Sequence, residues 1–379
     1  MLPLEGLRVV ALEQAVAGPF CSRQLVDLGA DVIKVERPGE GDLARGYDGA
    51  LGGVSAYFAW LNRGKRSVVL DLKSPDGAAT LEKLLAGADV FVHNLLPGAV
   101  ERLGFGWDTV RARFPRLIWV SISGYGLSGS YAHKKAYDML IQAEAGVIAL
   151  TGSVEEAAKV GISVADIASG LYAHSSILAA LLIRGRTGRG ERIEISMFEA
   201  LTEWMMPPMY SLIGQGHAPG RAGLRHNMIV PYGAYQCADG QVMFAVQNER
   251  EWVNFCADVL ERPDLTNDER FAANAQRLAH RAQLEDIIEA AFACLSRDEV
   301  SARLEQAGLA SARVNSVQDV VDHPQLRERQ RWTQVQTPAG TIPALLPPHN
   351  LGSEPPRMGR VPALGEHTAE VLAELEGAP

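Results

Sequence analysis

The sequence predicts an α/β fold built on a parallel β-sheet. Short segments that are continuously apolar alternate with segments of helical periodicity through the first 200 residues. Apolar strands that alternate with helices in this way are typical of a parallel sheet covered by helices on both faces. The predicted strands are residues 7–12, 31–36, 67–72, 89–94, 117–123 and 191–196.

The predicted helices follow from the spacing of the apolar residues between these strands. Residues 19–28 have helical periodicity, and Gly29 lies where glycine commonly ends a helix. A second helix is expected over residues 76–86, and a strongly apolar one over residues 167–183. The longest apolar stretch, residues 177–183, is far shorter than the roughly 20 residues that span a bilayer, so we expect no membrane segment.

The composition argues against several classes of protein. The formal net charge of −9 disfavours a nucleic-acid partner, because phosphate binding requires a concentrated basic surface. The four cysteines show no CxxC spacing, which suits a reducing compartment. The nine histidines include no HxH or HxxxH pair, so we expect no metal site. Since no secretory signal is visible at the N-terminus, we predict a cytoplasmic protein.

The first β-α-β segment imitates a dinucleotide-binding unit. Glu36 ends the second predicted strand, where an acidic residue binds the ribose in such proteins. The turn after the first strand, EQAVAGPF, nevertheless lacks the GxGxxG pattern. Ala15 and Ala17 replace the glycines that allow close approach to a pyrophosphate, and Pro19 lacks an amide donor. We therefore expect neither NAD nor FAD.

Asp166 is a candidate for chemistry, because it opens the long apolar helix in the segment VADIASG. Asp is a common helix cap, and the helix dipole favours the ionised form of a carboxylate at this end. An ionised carboxylate can also attack a thioester directly, and free amide groups at the helix start can stabilise an oxyanion. The pattern alone does not separate a cap from a nucleophile.

Several stretches, in order along the chain, resemble the family III CoA transferases, the family of formyl-CoA transferase. Near the C-terminus, HPQLRERQRW and LGEHTAEVL are similar as well. The stretches in the first 200 residues are LEGLRVVALEQAVAGPF, LGADVIKVERPGEGD, NRGKRSVVLDLKSPDG, HNLLPGAVERLGF, ISGYGLSG, KAYD, VADIASG and RTGRGERIEISM.

This resemblance implies an enzyme that transfers CoA between carboxylic acids, with Asp166 at the position of the family's nucleophile. Attack of Asp166 on a donor acyl-CoA gives a mixed anhydride, which the CoA thiolate converts into an aspartyl-CoA thioester. An acceptor carboxylate then enters, and the same steps run in reverse. The substrates are an acyl-CoA and a free carboxylic acid, with no other cofactor. Asp138, in KAYD, matches an acid with a supporting role near this site.

The CoA contacts of the family are carried over by position. Arg37, Arg102 and Lys135 are expected to meet the phosphates or the adenine end of CoA. Leu95 departs from the aromatic residue that is usual in the family. The full set of expected CoA contacts is Val16, Ala17, Arg37, Leu70, Lys73, Asn94, Leu95, Arg102, Lys135 and Tyr137.

Tyr137 separates two activities within the superfamily. Acyl-CoA racemases carry a histidine at this position, since removing and returning an α-proton takes a second base. Tyrosine, with an ordinary pKa of about 10, is a poor substitute. We therefore favour a transferase, and the alternatives are a racemase or a non-catalytic acyl-CoA binding protein.

The segment GRAGLRHNMIVPYGAY lacks the glycine-rich loop of formyl-CoA transferase-like members. Its Arg221, Arg225 and His226 could bind the distal carboxylate of a substrate, or could merely make a loop soluble. Together with KVGISVADI and QNEREW, this segment resembles the subgroup that uses succinyl-CoA as donor. Acceptors of that subgroup are dicarboxylates of four or five carbons: itaconate, mesaconate, citramalate, malate or glutarate.

The resemblance also implies a domain organisation. A Rossmann-like large domain over residues 1–200 is completed by residues 325–379, and a smaller α/β domain occupies residues 236–324. Residues 201–235, which are rich in proline and glycine, connect the two. Ring-shaped subunits interlock in pairs in this family, so we expect a homodimer.

Overall fold

The computed structural model describes residues 1–349, 351–352 and 354–377. Short 3-10 helices lie at Leu43–Gly46 and Pro263–Asn267, and a π-helical turn lies at Phe255–Val259. The strands are β1 (Arg8–Leu12), β2 (Asp31–Glu36), β3 (Arg66–Val69), β4 (Val90–His93), β5 (Ile118–Ser123), β6 (Arg192–Ser196), β7 (Tyr232–Cys237), β8 (Gly240–Ala245), β9 (Ala310–Arg313), β10 (Trp332–Thr337) and β11 (Gly340–Leu345).

The helices occupy most of the segments between these strands. In chain order they are α1 (Ala17–Asp27), α2 (Ala56–Asn62), α3 (Pro75–Ala86), α4 (Ala99–Arg102), α5 (Trp107–Arg113), α6 (Asp138–Glu144), α7 (Val147–Leu150), α8 (Val164–Thr187), α9 (Met197–Trp204), α10 (Met206–Gln215), α11 (Glu249–Asn254), α12 (Asn274–Ala279), α13 (Arg281–Phe292), α14 (Arg297–Gln306), α15 (Val317–Val321), α16 (Pro324–Glu328) and α17 (Thr368–Gly377).

The first six strands form one parallel sheet in the order β3-β2-β1-β4-β5-β6. This confirms the predicted parallel sheet, and each predicted strand is present to within a few residues. Alternate residues of a strand point to opposite faces, and both faces are apolar. Val9 and Ala11 pack with α1, α8 and α9, whereas Val10 and Leu12 lie in the cluster that includes α3, α5 and α17.

The long helix α8 packs along α1 in this core. Gly170 allows the close approach, since a Cβ at this position would lie 2.8 Å from the carbonyl oxygen of Ala17. By length and composition, α8 is the one helix among the described residues that could cross a membrane. It is much longer than the apolar run at 177–183. Ala165, Ala173 and Ile177 are fully buried in the core cluster, as in the central helix of a globular domain.

Residues 201–235, which we expect to connect the two domains, include the helix α10. Pro207 and Pro208 lie in the first turn of α10, where the missing amide hydrogens leave no helical hydrogen bond unmade. The segment also contains the start of β7 at Tyr232. The proline content of this segment thus suggested a loop. The segment instead contains a helix, because both prolines lie at first-turn positions that a helix tolerates.

The chain divides into two compact units. The large unit comprises Met1–Val147, Val160–Pro207 and the described residues of Gln325–Pro379. The small unit comprises Ile148–Lys159 and Pro208–Pro324. Its sheet, β7-β8-β9, is antiparallel, and the core cluster beside it includes Phe244, Trp252 and Phe292 from β8, α11 and α13.

A buried ion network lies at the turn between β1 and α1. Glu13 Oε1 is 2.6 Å from Lys65 Nζ and 3.5 Å from Lys34 Nζ, and Ser22 Oγ donates to Glu13 Oε2. Lys34 also pairs with Asp42 at 2.7 Å, and all four charged side chains are fully buried. Burial alone would raise the pKa of Glu13, but Lys65 and Lys34 hold it below its ordinary value. Glu13 is therefore ionised and balances the two lysines.

Replacing Glu13 tests this network. Glu13→Gln removes the shared carboxylate and leaves two buried ammonium groups with less compensation, so we expect a loss of about 3 kcal/mol in the free energy of unfolding. Urea denaturation measures the loss. The matched control is Glu82→Gln, because Glu82 pairs with Arg113 at the surface, where the side chains are 47% and 48% exposed. That variant should lose less than about 1 kcal/mol. Equal effects of the two changes would contradict the assigned role.

Candidate active site

The carboxyl edge of the parallel sheet brings together most of the expected CoA contacts. The strand order reverses between β1 and β4, and ligands of doubly wound sheets bind in the crevice at such a switch point. Residues after β1 and β4 flank this crevice directly. The expected contacts that follow strand ends here are Val16 and Ala17 after β1, Arg37 after β2, Leu70 and Lys73 after β3, and Asn94 and Leu95 after β4.

The turn after β1 is held in a fixed conformation by two side chains. The amide of Gln14 donates to Asn94 Oδ1 at 2.9 Å, and Asn94 Nδ2 donates to the carbonyl of Gln14 at 2.8 Å. Ala15 adopts a positive φ of 63°, which is rare for a residue with a Cβ. Its amide donates to Asp42 Oδ1 at 2.9 Å. Asn94 and Asp42 thus fix the backbone that leads into Val16.

Glu36, the acid that suggested a ribose contact, has internal partners instead. Arg45 donates to both of its carboxylate oxygens, at 2.7 and 2.8 Å, and Ser67 Oγ donates at 2.6 Å. The carboxylate is fully buried by these contacts. This arrangement gives Glu36 a structural role at the end of β2.

The basic residues expected at the phosphates or the adenine end of CoA lie at the surface of the large unit. Arg37, Lys73, Arg102 and Lys135 are all exposed. Arg37 donates to the carbonyl of Gly41 at 3.0 Å and pairs with Glu40, yet its side chain remains 51% exposed. Exposed cations beside the carboxyl edge are suited to meet phosphate groups that stay partly solvated.

Asp138 caps the helix that carries Asp166. The amides of Ala165 and Asp166 donate to Asp138 Oδ1 at 2.8 and 3.3 Å. Gln142 Nε2 donates to Asp138 Oδ2 at 2.7 Å, and Gln142 Oε1 accepts from the amide of Val160 at 2.9 Å. A residue from another helix therefore supplies the N-terminal acceptor of α8, and Gln142 holds it in place.

The first turn of α8 has no free amide for an oxyanion among the described residues. Besides the two amides bound by Asp138, the amide of Val164 donates to Ile162, and that of Ile167 donates to Ser163. This differs from the expectation that free amide groups at the helix start could stabilise an oxyanion. The amide donors are taken because Asp138 closes the end of the helix.

Asp166 itself is not the cap, and its carboxylate has no hydrogen-bond partner within the part of the chain that the structure describes. Burial raises the pKa of Asp166 to about 7, with a further contribution from the negative charge of Asp138. The sequence predicted a carboxylate kept ionised by the helix dipole. Burial and the neighbouring acid outweigh the dipole, so the side chain is a more basic carboxylate than an exposed aspartate.

Tyr137 and a row of aromatic side chains complete the surroundings of Asp166. Burial raises the pKa of Tyr47, and the charges of Asp42 and Asp166 raise it further, so Tyr47 lies within electrostatic reach of Asp166. Tyr137 is 69% exposed, and its charge also raises the pKa of Tyr47. The row continues from Tyr47 to Tyr57, with ring centroids 5.9 Å apart. Sequence reasoning missed Tyr47, which follows a 3-10 helix, and Tyr57, in α2, because no local pattern places these segments beside α8.

The three residues suggested for a distal carboxylate belong to the small unit, and each has partners there. Arg221 donates to the carbonyls of Ser153 and Val154. Arg225 pairs with Glu285 and Glu289, and the ring of His226 stacks on that of Tyr232 with centroids 5.0 Å apart. Their role in substrate binding stays a prediction.

The described residues hold no group of three or more His, Cys, Asp or Glu side chains arranged as metal ligands. The chemistry that the site does offer is that of a half-buried carboxylate at the start of a core helix, with no hydrogen-bond partner among the described residues. Such a group can act as a base or as a nucleophile. The fold and the site therefore define a doubly wound α/β protein with a carboxylate centre beside a ligand crevice.

Comparison with known proteins identifies the family. The chain belongs to CoA-transferase family III, whose sequence profile matches residues 4–368. This confirms the resemblance and shows that the protein is an enzyme of the CoA-transferase class.

Individual relatives match over nearly the full chain. Succinate–glutarate CoA-transferase of Agrobacterium fabrum is 34% identical over 384 residues, which cover 99% of this chain and 96% of the relative. Succinyl-CoA:mesaconate CoA-transferase of Haloarcula hispanica is 34% identical, covering 98% and 96%. The crystal structure of a CaiB/BaiF family protein from Brucella suis superposes with a TM-score of 0.87 at 35% identity, covering 99% of both chains.

The raised pKa of Asp166 makes a prediction about stability. Because the folded state holds the proton more tightly than the unfolded chain, stability falls as the pH rises from the unfolded pKa of 3.8 to the folded value of about 7. Asp166→Asn removes this dependence. The stability difference between the variant and the wild type, measured by urea unfolding, should therefore favour the variant by about 4 kcal/mol more at pH 8 than at pH 4.

The control is Asp76→Asn, which changes an exposed aspartate in the first turn of α3. Its stability difference from the wild type should show no comparable increase with pH. A constant difference for Asp166→Asn across this pH range would contradict the raised pKa.

Proposed function

We propose that the protein moves CoA from succinyl-CoA to a dicarboxylic acid of four or five carbons, through an aspartyl-CoA thioester on Asp166. The observation that carries this proposal is the carboxylate of Asp166, which is half-buried, has a raised pKa and has no hydrogen-bond partner among the described residues. Hydrogen bonds would hold a structural carboxylate in place and reduce its reactivity. Asp166 lacks them because Asp138 has taken over the capping of α8.

The reaction consists of acyl transfers that balance without another reagent. The Asp166 carboxylate attacks the thioester carbonyl of succinyl-CoA, and CoA leaves as the thiolate. The thiolate attacks the Asp166 carbonyl of the mixed anhydride, which releases succinate and leaves CoA bound to Asp166 as a thioester. The acceptor carboxylate attacks that thioester, and the thiolate then attacks the acceptor carbonyl of the second anhydride. The products are the new acyl-CoA and a regenerated Asp166.

Burial of Asp166 supports this chemistry in two ways. A partly desolvated carboxylate is a stronger nucleophile than a hydrated one, and expulsion of water on substrate binding would protect the anhydride and thioester from hydrolysis. The negative charge of Asp138 raises the free energy of the ionised Asp166 further. Acylation of Asp166 removes this charge repulsion, so the arrangement favours the covalent intermediate.

CoA would bind across the crevice between β1 and β4. The turn fixed by Asn94 and Asp42 would bring the backbone of Val16 and Ala17 to the pantetheine, since both side chains are buried. The exposed guanidinium and ammonium groups of Arg37, Lys73, Arg102 and Lys135 would meet the phosphates and the adenine end. The dicarboxylate acceptor is inferred from the relatives whose names include glutarate and mesaconate.

We also propose that the enzyme is a cytoplasmic homodimer. Support for a dimer comes from α10, where Tyr210, Leu212 and Ile213 are 64%, 51% and 74% exposed, because exposed apolar side chains of this kind are typical of interfaces. Support for the compartment comes from the cysteines, which are all free thiols.

An exchange assay tests the proposed reaction. The purified protein is incubated with succinyl-CoA and one free acid at a time: glutarate, mesaconate, itaconate, citramalate or malate, with formate and oxalate for comparison. Mass spectrometry of the CoA esters should show a new dicarboxyl-CoA. Asp166→Asn should form none, whereas Asp76→Asn should exchange at the wild-type rate.

Three results would contradict the proposal. Exchange of the α-proton of an acyl-CoA with deuterated water, in the absence of any acceptor acid, would indicate a racemase. Binding of acyl-CoA with neither activity would indicate a non-catalytic protein. Exchange that survives in Asp166→Asn would exclude this aspartate as the nucleophile.

A further inference from the structure

The large unit contains a second candidate binding site, a cavity of about 470 Å³ between α2 and the hairpin β10–β11. Its lining is mostly apolar and includes Phe20, Trp60, Trp332, Leu345 and Pro347. The volume lies within the range of about 300–1,000 Å³ that is usual for small-molecule sites. We call this space the hairpin cavity.

Two buried arginines also line the hairpin cavity. The side chains of Arg23 and Arg63 are only 7% and 4% exposed, and both pair with the carboxylate of Asp27. Arg23 Nη1 lies 3.1 Å from Asp27 Oδ2, and Arg63 Nη1 contacts Asp27 Oδ1. Within the described residues, Arg23 Nε and Arg63 Nη2 are buried donors that have no hydrogen-bond partner. Buried donors of charged groups are almost always paired, so the hydrogen bonding of these two guanidinium groups is incomplete within the described residues.

The charges around these arginines do not balance. Asp27 supplies one negative charge to two guanidinium groups, and burial lowers the pKa of Arg23 only to about 10, so it stays protonated at neutral pH. His174 lies close by and contacts His349, with ring centroids 5.6 Å apart and the rings tilted by 38°. Burial, His349 and Arg23 lower the pKa of His174 to about 4, so it adds no charge. Within the part of the chain that the structure describes, one positive charge in this cluster has no counter-ion.

We propose that the hairpin cavity binds an amphipathic carboxylate. Its carboxylate would pair with the guanidinium groups of Arg23 and Arg63, which line the cavity, and neutralise the excess charge, as guanidinium groups suit planar carboxylates. Its aliphatic body would pack against Trp60, Trp332 and Leu345. The site is independent of the proposed transferase chemistry, since it uses neither Asp166 nor Asp138.

Octanoate is the probe for this site, and octan-1-ol is its uncharged control. Isothermal titration calorimetry on the full-length protein should show one saturable octanoate site, with an affinity at least about tenfold higher than that for octan-1-ol, because an alcohol cannot pair with the guanidinium groups. No saturable octanoate binding, or equal affinities for the two probes, would overturn the proposal.

Variants assign the binding to the cavity. Ala56→Trp fills it from the half-buried start of α2 and should abolish octanoate binding, whereas Ala79→Trp, at an exposed position of α3, should leave binding unchanged. Arg63→Lys keeps a cation beside Asp27 but removes the free guanidinium donor, so it should weaken binding by about tenfold. Wild-type octanoate binding in Ala56→Trp would overturn the proposal.

Two further measurements separate the hairpin cavity from the catalytic centre and from a subunit interface. Asp166→Asn should bind octanoate like the wild type, and loss of binding in that variant would place the probe at the catalytic centre instead. Sedimentation of Ala56→Trp should match that of the wild type. A dimer that dissociates on this change would show that a second copy of the chain covers the cavity, which also contradicts the proposal.

Discussion

Asp138 accepts hydrogen bonds from the first turn of α8, and the character of the active site follows from this contact. A long core helix needs acceptors for its first amides, and an aspartate in that turn would ordinarily provide one. Since Asp138 fills this role from α6, the half-buried carboxylate of Asp166 is left without a hydrogen-bond partner among the described residues, beside a second negative charge. The same contact therefore stabilises the helix and raises the basicity of the proposed nucleophile. It also removes the helix amides as candidates for an oxyanion site.

At the carboxyl edge of the sheet, the turn after β1 is likewise held by side chains that are distant in sequence. The turn between β1 and α1 contains alanine where dinucleotide-binding proteins have glycine, and Ala15 adopts a positive φ without glycine's freedom. Bonds from Asn94 and Asp42 hold this turn, and Asp42 belongs to the buried network of Glu13, Lys34 and Lys65. The buried ion network thus holds Asp42 in place, and Asp42 and Asn94 fix the backbone of the turn at the proposed CoA site.

The sheet could be predicted from the sequence because continuously apolar strands leave a strong local signal. Local patterns failed at α10, where Pro207 and Pro208 suggested a connector but lie in a first helical turn. Asp166 was found through the resemblance of VADIASG. The raised pKa of Asp166 could not be predicted, because the contact with Asp138 joins positions 28 residues apart and the pKa depends on burial. Tyr47 was missed for the same reason: its approach to Asp166 is tertiary. Arg225 pairs with Glu285 and Glu289, which are likewise distant from it in sequence, so these ion pairs could not be predicted either.

The central claim is that Asp166 carries CoA as a covalent intermediate, and an isotope experiment tests it most directly. The enzyme turns over succinyl-CoA with an accepted dicarboxylate whose carboxylates are labelled with heavy oxygen, and the peptide containing Asp166 is then examined by mass spectrometry. In the aspartyl-CoA route, the acceptor's oxygen attacks the Asp166 carbonyl and stays on Asp166, so this peptide should gain heavy oxygen. If the acceptor attacked succinyl-CoA directly, the label would appear in released succinate and the peptide would keep its mass, which would contradict the account.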